Sequence, residues 1–189
     1  MNVSIDISNC ILKTERTILR PFQISDLSDF YEYAKVDGVG EMAGWRHHSS
    51  INESRVILNN FIIHKKVFAI VYENKVIGSI GIEEYNEKRL PEFKGKKARE
   101  IGFVLSKDYW GLGLMTEVAS RVMEYLFLYL GLDIIICSYF DFNKRSKRVQ
   151  EKLNFKYYKT FEDTRLGEKV NLITNIIEKE DYLNSNKVS

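Results

Sequence analysis

The chain has 189 residues, with 28 lysines and arginines against 26 aspartates and glutamates, for a net charge of +2. That length suits one domain with a self-sufficient apolar core, and the near balance of charge argues against a general nucleic-acid binder. The opening MNVSIDISNC has neither the basic nor the apolar region of a signal peptide, and no apolar run approaches the roughly 20 residues of a membrane span, so a cytoplasmic protein with no membrane partner is expected.

TILRPF (17–22) reads as a strand, and Ser25 as the N-cap of a helix over DLSDFYEYAK. Ser50 and Glu53 have capping-box spacing, which predicts a second helix in SINESRVILNNFI. VFAIVYE (67–73) and VIGSIGIEEY (76–85) flank Asn74-Lys75, a two-residue turn signal, and read as a hairpin. REIGFVLS (99–106) is a further strand. Leu114 to Leu130 reads as a long helix, with Glu117, Ser120, Arg121 and Glu124 on one face and Met115, Val118, Ala119, Val122 and Leu126 on the other. IIICSYF (134–140) is almost continuously apolar, the pattern of a strand buried on both faces. Asn143 caps a short helix through Leu153. FKYYKTF (155–161) and KVNLITNII (169–177) form a closing hairpin, and the terminal NSNKVS is expected to fray. This is mixed α and β, with one strand–helix–strand crossover that makes 99–106 and 134–140 a parallel pair.

Cys10 and Cys137 fit no metal or redox spacing, so no metal is expected and Cys137 reads as a small core residue. Two basic runs, KRLPEFKGKKAR (88–99) and NKRSKRVQEK (143–152), are either solvated faces or local anion sites. Neither carries an RNA or DNA motif. Gly111 and Gly113 stand directly before the long helix, whose free N–H groups and partial positive charge suit a phosphate. A lone Gly-x-Gly reads equally as a plain turn. There is no Gly-Lys-Ser/Thr ending of a P-loop, and Met115 and Thr116 fall where a dinucleotide fingerprint needs its third glycine.

The loop Trp110-Gly111-Leu112-Gly113-Leu114-Met115 resembles the Gln/Arg-x-x-Gly-x-Gly/Ala signature of the GNAT superfamily of acetyl-CoA-dependent N-acyltransferases. TERTILRPFQISDLSDFYEYA, AREIGFVLSKDYWG and NKRSKRVQEKLNF resemble, in order, segments of its RimJ/RimL-like branch, the ribosomal-protein N-terminal acetyltransferases. The departures are Met115 at a small-residue position and Asn154 where glycine is usual. Asparagine tolerates a left-handed backbone, so the turn is expected to survive.

The resemblance implies a single GNAT domain over 1–189. Its fold class is α+β, a mixed, mostly antiparallel sheet with a central, splayed parallel strand pair, flanked by helices on both faces. It implies acetyl-CoA as co-substrate, with Trp110, Gly111, Leu112, Gly113, Leu114, Met115 and Thr116 at the pyrophosphate. Phe103, Val104 and Leu105 would lie along the pantetheine, and Asn143, Ser146 and Lys147 at the CoA arm. Asn143 also reads simply as a helix cap.

Acetyl transfer to an amine needs a base, stabilisation of the carbonyl oxygen and departure of a thiolate, without a covalent enzyme intermediate. Glu100 is the leading base, two residues before Gly102 and on the face of Val104, with an ion pair to a nearby Lys or Arg as its other reading. His47 and His48 are runners-up. In the family, the region of Trp45, Arg46 and His47 helps form the acceptor site. Many members place a tyrosine acid where this chain has Gln150, so Gln150 is expected to be a bystander. Ser146 takes the acid's place, or is only a first-turn residue. The acceptor is a primary amine, on a protein N-terminus or a small molecule. The other class of reading is a non-catalytic CoA-binding sensor or partner-binding module. A homodimer is expected from the family alone.

Overall fold

The computed structural model describes residues 1–186, and 187–189 lie outside the described residues. The strands are β1 (Leu12–Lys13), β2 (Ile18–Pro21), β3 (Val67–Tyr72), β4 (Lys75–Glu83), β5 (Ala98–Leu105), β6 (Ile134–Phe140), β7 (Lys156–Arg165) and β8 (Glu168–Glu178). The helices are α1 (Leu27–Ala34), α2 (Ile51–His64), α3 (Leu114–Glu124), α4 (Lys144–Lys152) and α5 (Lys179–Asn186). Among the described residues all eight strands form one sheet, in the order β1-β2-β3-β4-β5-β6-β8-β7. Only the β5–β6 pair is parallel, and the rest are antiparallel. This is the mixed, mostly antiparallel sheet with one central parallel pair that the resemblance implies. No helix among the described residues is long and apolar enough to cross a membrane.

Strand alternation divides the core between the two faces of the sheet. In β3, Phe68 and Ile70 pack with the α3 residues Val118, Ala119, Val122 and Met123, while Val67 and Ala69 pack with Phe30 and Ala34 of α1 and Leu58 of α2. This explains why VFAI carries no polar residue. Each such buried side chain stabilises the fold by about 1.5–3 kcal/mol. β6 repeats the pattern, with Ile135 and Cys137 facing α3 and Ile134 and Ile136 in a third cluster with Tyr85, Leu90 and Phe93.

The feature that positions the site is a split in this sheet. β5 pairs with β4 along its length, from Glu100↔Glu83 to Leu105↔Gly78. Its parallel pairing with β6 stops at Glu100↔Ile136. Beyond it β6 continues with β8 as far as Phe140↔Leu172. From Ile101 to Leu105, the edge of β5 facing away from β4 therefore has no strand beside it.

Four local expectations need correction. Ser25 does not cap α1. Asp26 holds the N-cap position, but its carboxylate caps no N–H of α1 and turns back to accept the Gln23 backbone N–H at 2.8 Å and both ends of the Arg20 guanidinium at 2.7 and 2.8 Å. Ser50 does cap α2, but Glu53 turns to the Ser49 backbone N–H at 2.8 Å instead of closing the box. The β3–β4 turn sits one residue earlier than its signal, on Glu73 and Asn74, both with positive φ, a combination that matches the twist of the flanking strands. Residues 184–186 of the expected frayed end belong to α5, and the remainder falls outside the described residues. Asn154 adopts the left-handed backbone expected of it, with φ 61°.

Candidate active site

Gly111 and Gly113 both have positive φ, 83° and 79°, a conformation side chains resist. A Cβ at Gly111 would meet nothing within 4 Å, so glycine is needed there for backbone shape rather than for space. Gly113 is the N-cap of α3 and no side chain caps that end. Arg16 fixes the loop from outside by donating to the Leu112 carbonyl at 3.0 Å and to Glu117 at 2.8 Å. Trp110 fixes it from inside, its indole N–H donating to the Leu105 carbonyl at 2.8 Å. The Arg145 guanidinium stacks 4.2 Å above the Trp110 ring.

This loop opens onto a cavity of about 220 Å³ that runs along the free edge of β5 to α4. Arg145, Arg148, Val149 and Lys152 line its α4 side, a helical spacing that aims three cations at one groove. No acidic side chain lines it among the described residues. An uncapped helix N-terminus, left-handed glycines and three cations suit a polyanionic ligand.

A second cavity, of about 450 Å³, opens beside the first. The two share Met42, Ala43, Phe103, Asn143 and Ser146, so they meet where β5 and β6 part. Glu100 lines the second cavity. Its Oε1 accepts the Ser138 hydroxyl at 2.7 Å, and Ser138 lies 3.1 Å from the Thr174 hydroxyl. Because Ser138 gives its one proton to Glu100, Thr174 donates to Ser138, and the chain of hydroxyls orients the carboxyl. Burial pushes the Glu100 carboxyl above the ordinary glutamate range, against the Ser138 hydrogen bond and the nearby Arg89, which pull it down. Its partner is thus a hydroxyl rather than the cation of the ion-pair reading. A buried, upward-shifted carboxyl facing a cavity is what proton acceptance near neutral pH requires.

Ser146 sits in the first turn of α4, where its backbone N–H donates to Asn143 Oδ1 at 3.0 Å. Gln150 is fully buried and corrects the expectation of a bystander. Its Nε2 donates to Ser146 Oγ at 3.2 Å, and its Oε1 accepts from Asn175 Nδ2 at 3.0 Å. In this arrangement the amino end of the Gln150 amide faces Ser146 and its carbonyl end faces Asn175. Ser146 therefore accepts from inside the protein and keeps its own proton for the cavity junction.

The structure gathers Phe103, Val104, Leu105, Trp110, Gly111, Gly113, Leu114, Met115, Thr116, Asn143 and Ser146 around the first cavity. Met115 also packs into the core, so the loop tolerates its size. Leu112 and Lys147 line neither cavity. The Leu112 side chain is exposed, and Lys147 pairs with Glu151 at 3.8 Å. Trp45, Arg46 and His47 line neither cavity either. Trp45 packs beside His48 and the α1–α2 core, while His47 lies on the surface 3.0 Å from Glu41 and 3.7 Å from Asp37. Their neighbours Met42 and Ala43 reach the junction instead. His48 is a core histidine, buried edge-on to Phe30 with Nδ1 2.7 Å from Ser54 Oγ. The basic run 143–152 was expected as either a solvated face or an anion site, but the sequence did not single out Arg145, Arg148 and Lys152 within it, although their spacing in a capped helix contains that signal. Reasoning from sequence also missed Ser138, the one serine within an apolar strand.

A family model described as an acetyltransferase (GNAT) domain matches residues 16–156. An uncharacterized N-acetyltransferase of Bacillus subtilis (strain 168), YoaA, is 30% identical over 152 residues, covering 77% of this chain and 82% of its own. A GNAT-family acetyltransferase structure from Bacillus anthracis superposes with a TM-score of 0.79 at 24% identity, covering 90% of this chain and 99% of its own. The microcin C7 self-immunity acetyltransferase MccE, solved in complex with acetyl-CoA and AMP, superposes with a TM-score of 0.73 at 14% identity, covering 87% of this chain and 93% of its own.

Proposed function

This chain belongs to the GNAT acetyltransferase family, and on that premise we propose that it transfers the acetyl group of acetyl-CoA to a primary amine on a protein N-terminus or a small molecule. The observation that carries the reading is the meeting of two unlike cavities at Phe103, Asn143 and Ser146. One is basic and glycine-bordered, and suits the CoA arm. The other holds Glu100 and suits the amine. MccE, which has this fold, was solved with acetyl-CoA, which supports acetyl-CoA as the co-substrate. The ordered motifs of the ribosomal-protein N-terminal acetyltransferases support that branch for this chain. The sheet runs on through β7 and β8, past the residues the family model matches, which supports one acetyltransferase domain over the whole chain.

Acetyl-CoA supplies an activated thioester. The chain's residues do the rest by position and proton handling. The unpaired edge of β5 presents backbone groups along the first cavity, where they hold the pantetheine and stabilise charge on the carbonyl oxygen. Glu100 takes the amine proton directly or through a water. Ser146 donates its free proton toward the departing sulfur, and no side chain forms a covalent bond. The buried Cys137 thiol is pushed well above its usual range, which leaves it a poor nucleophile.

Ser146→Ala is expected to lower kcat about 10-fold while acetyl-CoA affinity changes less than about 3-fold, because its hydrogen bond strengthens only as sulfur gains charge. Gln150→Leu frees the Ser146 rotor and orphans Asn175, so kcat falls in the same direction and stability drops by about 1–3 kcal/mol. Steady-state kinetics with denaturant melts check both, and a Gln150→Leu enzyme with wild-type kcat contradicts the positioning role. Arg148→Gln with Lys152→Gln is expected to weaken CoA binding several-fold at low salt and progressively less as salt screens the phosphates, read by calorimetry at two ionic strengths.

Thiol release from acetyl-CoA across a panel of amines tests the function itself. Amine-dependent release is expected. Tight CoA binding with no amine-dependent release would leave a CoA-binding module instead.

A further inference from the structure

Beyond the base, the second cavity carries an arrangement of cations. Arg89 and Arg165 both line it, and both reach one carboxylate, Asp163 Oδ2, at 3.3 and 3.1 Å. Asp163 is not among the lining residues; it sits behind the two guanidiniums and neutralises only one of them. Arg89 also stacks 5.4 Å over the ring of Phe161, which gives its guanidinium a fixed platform. The acidic residues of the cavity do not cancel the remaining charge. Glu84 is already engaged by Lys66 at 3.1 Å and by Arg99 at 3.5 Å. Glu100 is turned toward Ser138. The two planar forks thus carry one positive charge more than Asp163 cancels, in the cavity that also holds Glu100.

Such a pair of cations is a poor choice for an ordinary ammonium and worse for a polyamine. It is a good one for a molecule that carries an anion beside its amine. Guanidinium forks match the paired oxygens of a carboxylate or a phosphate. Arg89, Arg165 and Glu100 line the same cavity, so one ligand in it can meet both the forks and the base.

We infer that Arg89 and Arg165 form an anion subsite of the acceptor cavity, and that the acceptor is a primary amine bearing a carboxylate or phosphate group close to the nitrogen. This rests on the acetyltransferase reading and narrows it to amino-acid-like amines. The anion docks on the two forks, and the nitrogen points inward to Glu100 and the junction at Ser146. The amine loses a proton to Glu100, forms the new N–C bond, and the C–S bond breaks with the thiolate protonated on leaving.

The test uses α-amino acids, their α-carboxamides and 2-aminoethylphosphonate. Each is measured for thiol release with acetyl-CoA, and for binding to the CoA-loaded protein by calorimetry. Carboxamides carry less basic amines, so rates are compared per unprotonated amine. The wild-type protein is expected to favour anionic amines over carboxamides by about 10-fold or more in both readouts. Arg89→Gln and Arg165→Gln are each expected to shrink that ratio at least 3-fold while CoA affinity stays unchanged. Preference for the phosphonate over every carboxylate assigns a phosphate as the anion, and the reverse assigns a carboxylate. Equal binding of anionic amines and carboxamides, or no binding of any anionic amine, overturns the subsite. Arginine variants that slow both classes alike and move the acid limb of the pH–rate profile also overturn it, because the arginines then serve only to tune Glu100. Preferential binding of anionic amines without thiol release from any amine leaves the subsite standing and sinks the acetyltransferase reading alone.

Discussion

Glu100→Gln is expected to lower kcat/KM by about 10²-fold or more at pH 7, with partial recovery as pH rises and the amine deprotonates unaided. The substitution keeps the side chain's shape and its bond to Ser138 while removing the only carboxyl that accepts that hydroxyl. In the wild type, activity rises with pH through the Glu100 pKa, which burial holds above the ordinary glutamate value of about 4.3. The variant lacks that acid limb. The same shift makes a second, opposite prediction for stability. A carboxyl whose folded pKa is raised binds more protons in the folded state than in the unfolded one. Folding stability therefore falls as pH climbs from the unfolded pKa through the folded one. Glu100→Gln is thus expected to raise the thermal midpoint at pH 7 and to change it little below pH ~4, where the wild-type carboxyl is protonated in both states. Lower activity with higher stability is the signature of a charge buried for chemistry. An unchanged pH–rate profile would place the base elsewhere.

Gly111→Val and Gly113→Val are expected to weaken CoA binding by about 10-fold or more each. A β-branched residue at φ near +80° is strained by about 1–2 kcal/mol or more, and it relaxes only by moving the backbone whose N–H groups face the groove. At Gly111 the added side chain has open space, so the protein folds and the damage stays in the loop. The loss is expected for CoA, which has a pyrophosphate, and to be small for S-acetylpantetheine as acetyl donor, which has none. Calorimetry with CoA and kinetics with both donors check this. Wild-type CoA affinity in both variants would remove the loop from the cofactor site.

Much of the fold was legible because its strongest signals are local. The apolar run IIICSYF, the amphipathic helix after Gly113 and the Asn143 cap each lie within one short window and form where they were expected, although the long helix is α only to Glu124 and continues as a π-helix over Tyr125–Tyr129. What failed depended on partners distant in sequence. Gln150 was dismissed because glutamine is no acid, yet it is buried and hydrogen-bonded to Asn175, which lies on β8. Trp45, Arg46 and His47 were placed at the acceptor site by family position. Gly44, with φ 86°, turns the chain there, leaving Ala43 at the cavity and sending Trp45 toward the α1–α2 core. β7 runs to Arg165, whereas the first strand of the closing hairpin was expected to end at residue 161, which is why Arg165 was missed. The polar EDTR that follows shows little apolar alternation, but β7 is the last strand of the sheet and needs less. Lys147 was chosen from a run of cations that sequence alone could not sort. The helix aims Arg145, Arg148 and Lys152 at the groove and leaves Lys147 on Glu151.

The claim on which everything else depends is that the two cavities are one reaction path joined at Phe103, Asn143 and Ser146. A crystal structure of the protein with CoA and a turned-over amine tests it most directly. The account predicts the pyrophosphate against the backbone of Gly111 to Met115, the sulfur at the junction within about 3.5 Å of Ser146 Oγ, and the amine nitrogen on the Glu100 side, within reach of its carboxyl directly or through one water. A sulfur lying outside the junction, or an amine held anywhere but the cavity of Glu100, would contradict it.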